Sequence, residues 1–276
     1  VIANTGDDAE VYGVHVSPDP DLVTYWLADA IDARGYGIRG DSFAVVEALA
    51  AAGRPAWFRL GDRDLAMCLV RTEQLRAGRT PTEAHAAVVQ AMGVDARVLP
   101  MSDQPVRTHV RSGGRWQPFQ EFMVAGGAQG PIDGVELRGV EAAHPTAAVL
   151  QAIERASAIV IGPSNPVISI GPILALAGMR EALAHARAPV VAVSPFVGGR
   201  SVKGPTEAFC AHAGIPLGAA GVATAYGDVL DGMVADEDVP GLPALVVDTL
   251  MDAAEDRRRV AAAALELARS LGTAPR

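Results

Sequence analysis

Asn4-Thr5-Gly6-Asp7-Asp8 follows a short apolar run, Val1 to Ala3, and sets two adjacent carboxylates at the end of an expected strand. Such a pair supplies hard oxygen ligands that hold magnesium while several of its waters are retained, and the same residues also suit an ordinary capped turn. Ser17-Pro18-Asp19-Pro20-Asp21 places two more carboxylates two residues apart, in what reads as a proline-stiffened loop. Arg59-Leu60-Gly61-Asp62-Arg63-Asp64 alternates charge around a glycine. That pattern either pairs internally as a solvated helix start or presents Arg59 and Arg63 to an anion. Pro100 to Thr108 is a two-proline loop carrying Ser102, Asp103 and Arg107. Further on, the β-branched run at 159–161 breaks into Gly162-Pro163-Ser164-Asn165-Pro166. Two prolines forbid both a continued strand and an immediate helix there. The loop therefore lies at a strand's carboxyl end, where open α/β sheets bind ligands. Its N–H groups, with Ser164, Asn165 and Ser169, can meet phosphate oxygens or simply hold a turn.

These loops need a frame, and strand and helix signals alternate along the chain, as in a mainly parallel sheet with crossover helices. Expected core strands are Val1 to Ala3, Ala158 to Ile161, Val190 to Val193 and Val234 to Ala235. Helices are expected over Phe43 to Ala51, Leu65 to Arg76, Pro81 to Met92, Ala147 to Arg155, Ile173 to Ala186, Thr206 to Ala213 and Ala244 to Leu271. Asp41 and Ser42 can cap the first, and Thr80 before Pro81 is a cap followed by proline at the first helical position. Thr108 to Arg111, the turn Ser112-Gly113-Gly114 and Trp116 to Val124 read as a β-hairpin. A glycine-rich stretch from Gly126 to Gly134 follows. The expected organisation is a core domain of residues 1–61 and 131–276 carrying an inserted subdomain, 62–130. The Ala- and Arg-rich tail from Asp256 reads as an amphipathic packing or dimer helix.

Composition narrows the class. The chain has 276 residues, half of them hydrophobic, enough for a substantial core. A net charge of −9 argues against a nucleic-acid surface, because duplex binding relies on many Lys and Arg. Only Cys68 and Cys210 occur, far apart, so neither a disulfide framework nor a zinc ribbon is indicated and a reducing cytoplasm is expected. No apolar run approaches the roughly 18 to 20 residues that cross a bilayer, and no signal-peptide pattern is present, so no membrane partner is expected. Val1 reads as part of a strand, which places the expected N-terminus before it. There is no Gly-x-x-x-x-Gly-Lys-Ser/Thr loop and no Gly-x-Ser-x-Gly elbow, which excludes P-loop NTPases and elbow hydrolases. The six histidines show no metal-ligand spacing. No Gly-x-Gly-x-x-Gly follows an expected strand with an acidic residue about 20 positions on.

Taken together, the motifs resemble one family. Asn-Thr-Gly-Asp-Asp at 4–8, Ser-Pro-Asp-x-Asp at 17–21, Leu-Gly-Asp-Arg-Asp-Leu at 60–65, Pro-Met-Ser-Asp-x-Pro-Val-Arg-Thr at 100–108, Phe-Gln-Glu at 119–121, Gly-Pro-Ser-Asn-Pro-x-x-Ser-Ile-Gly-Pro-Ile at 162–173 and Ser-Pro-x-x-Gly-Gly at 194–199 are similar to the 2-phospho-L-lactate transferase family of coenzyme F-420 biosynthesis. The resemblance implies an α/β fold, a Rossmann-like mainly parallel sheet with helices on both faces and an inserted α+β subdomain, assembled as a homodimer. It implies transfer of a three-carbon phosphoester (phospholactate, phosphoenolpyruvate or phosphoglycerate) from a guanosine diphosphate carrier to the terminal hydroxyl of 7,8-didemethyl-8-hydroxy-5-deazariboflavin, with Mg2+ as cofactor and release of GMP. Asp7 and Asp8 match the family's metal-binding acidic pair. Asp21 and Arg59 match positions associated with the deazaflavin, and Asp62, Arg63, Ser102, Asp103, Arg107 and Thr108 fall in motifs expected on the same side. Asn4, Ser164, Asn165, Ser169 and Gly171 are expected beside the nucleotide. Any of Asp7, Asp8 and Asp21 can serve as general base. Two departures stand out: the family's Gly-rich phosphate loop does not precede Val1, and Cys68 stands where family members tend to carry His. Other readings are a nucleotide-sugar-binding regulatory protein of the same superfamily, a dinucleotide oxidoreductase and a structural module.

Overall fold

The computed structural model describes residues 1–202 and 204–272. Its contacts divide the chain into two units, residues 1–130 with 135–146, and residues 131–134 with 147–276.

The first unit runs through β1 (Ile2–Ala3), the hairpin β2 (Ala9–Val11) and β3 (Val14–Val16), and then α1 (Pro18–Leu27), α2 (Ala44–Ala51), α3 (Asp62–Arg76) and α4 (Pro81–Ala91). β4 (Leu99–Pro100) returns parallel to β1, so β1 hydrogen-bonds there rather than to the other expected core strands. β5 (Arg107–Ser112), β6 (Arg115–Pro118) and β7 (Gly134–Arg138) form a sheet in the order β6-β5-β7.

The expected loop at 17–21 is the first turn of α1. Pro18 and Pro20 occupy positions whose N–H groups would have no intrahelical partner, so the prolines open the helix instead of forbidding it. Asp41, expected to cap α2, caps α3 instead. Asp41 accepts from the N–H groups of Arg63 and Asp64 at the start of α3, while Asp62 accepts from those of Ala44 and Val45 at the start of α2. Ser42 caps neither helix and donates its hydroxyl to Asp62 (2.7 Å). Thr80 and Glu83 form the reciprocal capping box of α4. In the hairpin, Gly113 and Gly114 take positive φ (57° and 78°), as a two-residue type I′ turn demands. β6 ends at Pro118, and the rest of the expected strand becomes a π-helical turn, Glu121–Ala125.

The segment 62–130 shares its unit with residues 1–61. Leu65 and Cys68 of α3 bury the apolar face of the β2–β3 hairpin, Val11, Val14 and Val16, and removing that face from water ties α3 to the N-terminal residues.

The second unit contains α5 (Ala147–Glu154), β8 (Ile159–Ile161), α6 (Ile170–Leu174), α7 (Met179–Ala184), β9 (Val190–Val193), the short pair β10 (Phe196–Val197) and β11 (Arg200–Ser201), α8 (Thr206–His212), α9 (Ala219–Tyr226), β12 (Gly232–Ala235), β13 (Ala244–Val246) and α10 (Ala254–Leu271). Among the described residues, β13-β12-β9-β8 form a four-stranded, wholly parallel sheet. Val191, Val193 and Val234 pack against Val260, Ala263, Ala264 and Leu267 of α10. Their neighbours Val190, Ala192 and Met233 point to the opposite face and are equally buried, so the central strands β9 and β12 are covered on both sides. The mixed α/β class with a parallel sheet is as expected. Two helices differ: Ile173 to Ala186 is broken into α6 and α7 by Gly178 at φ +86°, and Ala244–Val246 is a strand, which pairs in parallel with β12. No helix among the described residues is long and apolar enough to cross a membrane.

Candidate active site

The acidic pair lies on the segment between β1 and β2. Asp7 is 7% exposed and Asp8 9% exposed, and each is held by different partners. Asn4 Nδ2 donates to Asp7 Oδ1 (3.2 Å) and to Asp19 Oδ2 (3.1 Å), while Gln120 Nε2 donates to Asp7 Oδ2 (3.2 Å). Ser17 Oγ donates to Asp8 Oδ1 (2.6 Å), and His15 Nε2 lies 3.0 Å from Asp8 Oδ2 with its Nδ1 2.9 Å from Glu10. Burial, and then the like charges of Asp19 and Asp8, hold the Asp7 carboxyl well above the usual carboxylate range, although Arg107 acts the other way. Burial outweighs the Asn4 hydrogen bond at Asp19, which is raised too. Carboxylates are ligands of the type an oxygen-seeking divalent cation takes, and its charge would offset the repulsion among these three. Asn4, expected beside the nucleotide, is committed to aligning Asp7 and Asp19.

Asp7 lines two adjoining cavities. The larger, of about 760 Å³, has aromatic walls from Tyr25, Tyr36, Phe43, Trp57, Phe58 and Phe119, with Asp19, Asp21, Asp41 and Asp64 providing carboxylates and Arg34 and Arg59 cationic groups. Arg59 stacks on Phe43, 4.6 Å from the ring centroid. The smaller, of about 230 Å³, is lined by both Asp7 and Asp8 and by Arg107, Thr108 and Gln120.

Beneath the larger cavity, α3 supplies a buried cation absent from the sequence expectations. Arg71 forms an ion pair with Asp21 Oδ1 and donates to the backbone oxygen of His15 (3.1 Å). Thr24 uses its hydroxyl proton on Pro20 O (2.8 Å) and therefore accepts from His85 Nε2 (3.1 Å), which leaves His85 Nδ1 as the acceptor facing Arg71. Burial, then Arg71, lowers the His85 pKa to about 3, so the ring is neutral. Burial raises Asp21 despite Arg71, and its Oδ2 has no hydrogen-bond partner among the described residues. Asp64 accepts from Tyr25 (2.7 Å); burial, then the charge of Asp21, raises it to about 7. Ligand atoms of Asp21, Asp64 and Cys68 lie within 4.8 Å of one another. A guanidinium on Asp21 and a thiol that burial keeps protonated make this group a poor home for magnesium.

The structure separates the remaining expected residues. Asp62 caps α2, and hydrogen bonds from the Val45 N–H and Ser42 hydroxyl lower its pKa. Arg63 reaches the Arg39 backbone oxygen (3.3 Å). Ser102 and Gln104 bond to each other, and Asp103 accepts from Thr82 N and Oγ1 in the first turn of α4. Of the residues expected at the deazaflavin, Asp21 and Arg59 line the larger cavity, whereas Arg107 and Thr108 line the smaller. Arg71, His85, Asp19 and Gln120 had no assigned role. Gln120 stood inside the Phe-Gln-Glu string, and Arg71 carried no local signal. In the second unit, Asn165 Oδ1 accepts from the N–H groups of Val167 (2.8 Å) and Ile168 (3.2 Å), and its Nδ2 donates to Thr206 (3.4 Å). Ser169 precedes α6, and Gly171 approaches the Pro166 carbonyl, which an added Cβ would meet at 3.0 Å.

Residues 1–265 match the family model of the 2-phospho-L-lactate transferase CofD. The chain belongs to the 2-phospho-L-lactate transferase family. A 2-phospho-L-lactate transferase of Methanosarcina acetivorans is 39% identical over 271 residues, 95% of this chain and 88% of that protein. A phosphoenolpyruvate transferase of Streptomyces coelicolor is 43% identical over 243 residues, 86% of this chain and 76% of that protein. Among solved structures, a UPF0052-family protein from Bacillus halodurans shares the fold with a TM-score of 0.56 and 16% identity, over 95% of this chain and 89% of that one. The 2-phospho-L-lactate transferase family is a family of transferases, and the residues around Asp7 and Asp21 are this member's candidate chemistry.

Proposed function

We propose that this transferase moves a three-carbon phosphoester from a guanosine diphosphate carrier to the terminal hydroxyl of 7,8-didemethyl-8-hydroxy-5-deazariboflavin in coenzyme F-420 biosynthesis, with Mg2+. The observation that carries the reading is the larger cavity, whose aromatic walls suit a flat ring system and whose carboxylates suit a hydroxyl that must lose a proton. Its contact with Asp7, shared with the smaller cavity, supports a reacting centre at the junction. In the reaction, the acceptor oxygen bonds to the phosphorus that bears the three-carbon group. The bridging oxygen between the two phosphorus atoms leaves with GMP, and the hydroxyl proton passes to a carboxylate. Asp21 suits that role: Arg71 fixes Oδ1, Oδ2 lacks a partner, and its raised pKa makes it a better proton acceptor than an ordinary Asp. Asp7 and Asp8 would hold magnesium, which offsets charge on the phosphoryl oxygens when bound. Alignment of two anionic partners supplies much of the remaining rate enhancement.

A nucleotide-binding regulator would have no use for an acceptor cavity of this size, and the relatives named as transferases support the same choice. The test incubates the full chain with the deazaflavin and each of the three guanosine diphosphate-linked donors. Equimolar GMP and deazaflavin phosphodiester, abolished by chelator and restored by magnesium, are expected. Tight nucleotide binding with no deazaflavin-dependent GMP would overturn the reading.

A further inference from the structure

The acceptor cavity does not account for Arg107 and Thr108, which line the smaller cavity at the start of β5. Thr108 is 2% exposed, and its hydroxyl has no hydrogen-bond partner among the described residues. A buried hydroxyl without a partner is costly and uncommon, and a ligand atom that accepts its proton relieves the cost. Next to it, Arg107 Nη1 donates to the backbone oxygens of Val106 (2.7 Å) and Thr5 (3.5 Å), which fixes the guanidinium and leaves its other donors for a planar anion. Four carboxylates also line this cavity. Glu10 is held by His15, and Glu121 lies 4.0 Å from Arg115. Asp7 and Asp8 are the pair suited to a divalent cation. A ligand entering here meets an acidic wall suited to a cation and, from β5, the side chains of Arg107 and Thr108. The matching molecule is small and carries two anionic ends, a phosphoryl group for the metal side and a carboxylate for Arg107.

We propose that the smaller cavity is the subsite for the three-carbon group of the donor, whose carboxylate accepts hydrogen bonds from Arg107 and from the Thr108 hydroxyl. The inference rests on the reading of the protein as a transferase of a three-carbon phosphoester. Phospholactate, phosphoenolpyruvate and phosphoglycerate all carry that carboxylate, so the subsite selects the class of donor, and GDP alone lacks the group it recognises.

Calorimetric titration of the full chain with magnesium, using GDP and guanosine diphosphate-linked phosphoenolpyruvate as probes, tests it. Thr108→Val should weaken the tailed donor about 10-fold and Arg107→Gln about 10- to 100-fold, with GDP and deazaflavin affinities within about twofold of the parent. Thr108→Ser, which keeps the hydroxyl, should keep the donor affinity. Because Val removes an unsatisfied hydroxyl, Thr108→Val should melt no lower than the parent, which separates lost recognition from lost folding. Equal losses for GDP and the tailed donor, or a loss confined to deazaflavin, would overturn the subsite, as would unchanged donor affinity in both variants. These titrations need no acceptor. A chain that prefers the tailed donor through Thr108 yet transfers nothing to deazaflavin keeps the subsite and loses the proposed reaction, and a chain that transfers without that preference does the reverse.

Discussion

Asp64, in the wall of the larger cavity, has a carboxyl raised from 3.8 to about 7 by burial and by the neighbouring charge of Asp21. An acid whose folded pKa is raised stabilises the fold while protonated, so its contribution is full below pH 3.8 and is lost as pH rises toward 7. Asp64→Asn, which still accepts from Tyr25, should therefore exceed the parent in stability by about 4 kcal/mol at pH 8 and nearly match it near pH 4. Urea denaturation at the two pH values measures this, and an equal difference at both would remove the titration. Asp7 lines the same cavity. Asp7→Asn relieves repulsion from Asp19 and Asp8 but turns an amide N–H towards Asn4 or Gln120, so the melting temperature should change little while turnover falls by orders of magnitude. Full turnover in that variant would dismiss Asp7 from the metal site.

Among the elements, α2 and α3 start with caps borrowed from each other's approach segments. Asp62 belongs to an expected ligand motif but spends both oxygens on α2 and the Ser42 hydroxyl. Asp62→Ala should cost about 1 kcal/mol of stability and leave deazaflavin affinity unchanged, as thermal melting and titration would register. Asp41→Ala should cost a similar amount and weaken the acceptor as well, because Asp41 lines the cavity. The loop after β8 poses the same question of turn against ligand. Asn165 Oδ1 holds two backbone N–H groups, so Asn165→Ala should lose about 1 kcal/mol, whereas Asn165→Asp keeps that acceptor and removes the amide donor. Preserved melting with GDP affinity reduced about 10-fold in Asn165→Asp would assign the amide to the nucleotide; unchanged affinity would leave this residue a turn former.

At the scale of the whole molecule, the residues expected to meet the acceptor lie in the first unit, and Ser164, Asn165, Ser169 and Gly171 lie in the second. Arg59→Ala, which strips a cation and its stacking on Phe43 from the larger cavity, should weaken deazaflavin about 10-fold with GDP affinity unchanged; equal losses in paired titrations would refute the split. The variant suits this test better than one at Asp21, whose loss would leave Arg71 buried without its counter-charge. Local order was readable from the residues. Thr80-Pro81-Thr82-Glu83 specifies its own capping box and Gly113-Gly114 its own turn, because each depends on neighbours a few positions away, and the β-branched runs at 159–161 and 190–193 mark strands whose parallel pairing the fold then sets. The motif strings likewise carried the family. The proline pattern at 17–21 was misread as a loop for the same local reason, since only the ensuing helix shows that the prolines sit in a first turn. The site's wiring belongs to the tertiary structure. Asp21 meets Arg71 across 50 positions, Asp64 meets Tyr25 across 39 and Asp7 meets Gln120 across 113. Those partners are set by how α3 packs on the β2–β3 hairpin and where the segment between β6 and the π turn aims Gln120. The raised carboxyls of Asp7, Asp21 and Asp64 follow from water being excluded once that packing is complete, and exclusion of water is a property of the assembled volume that no short stretch of residues contains.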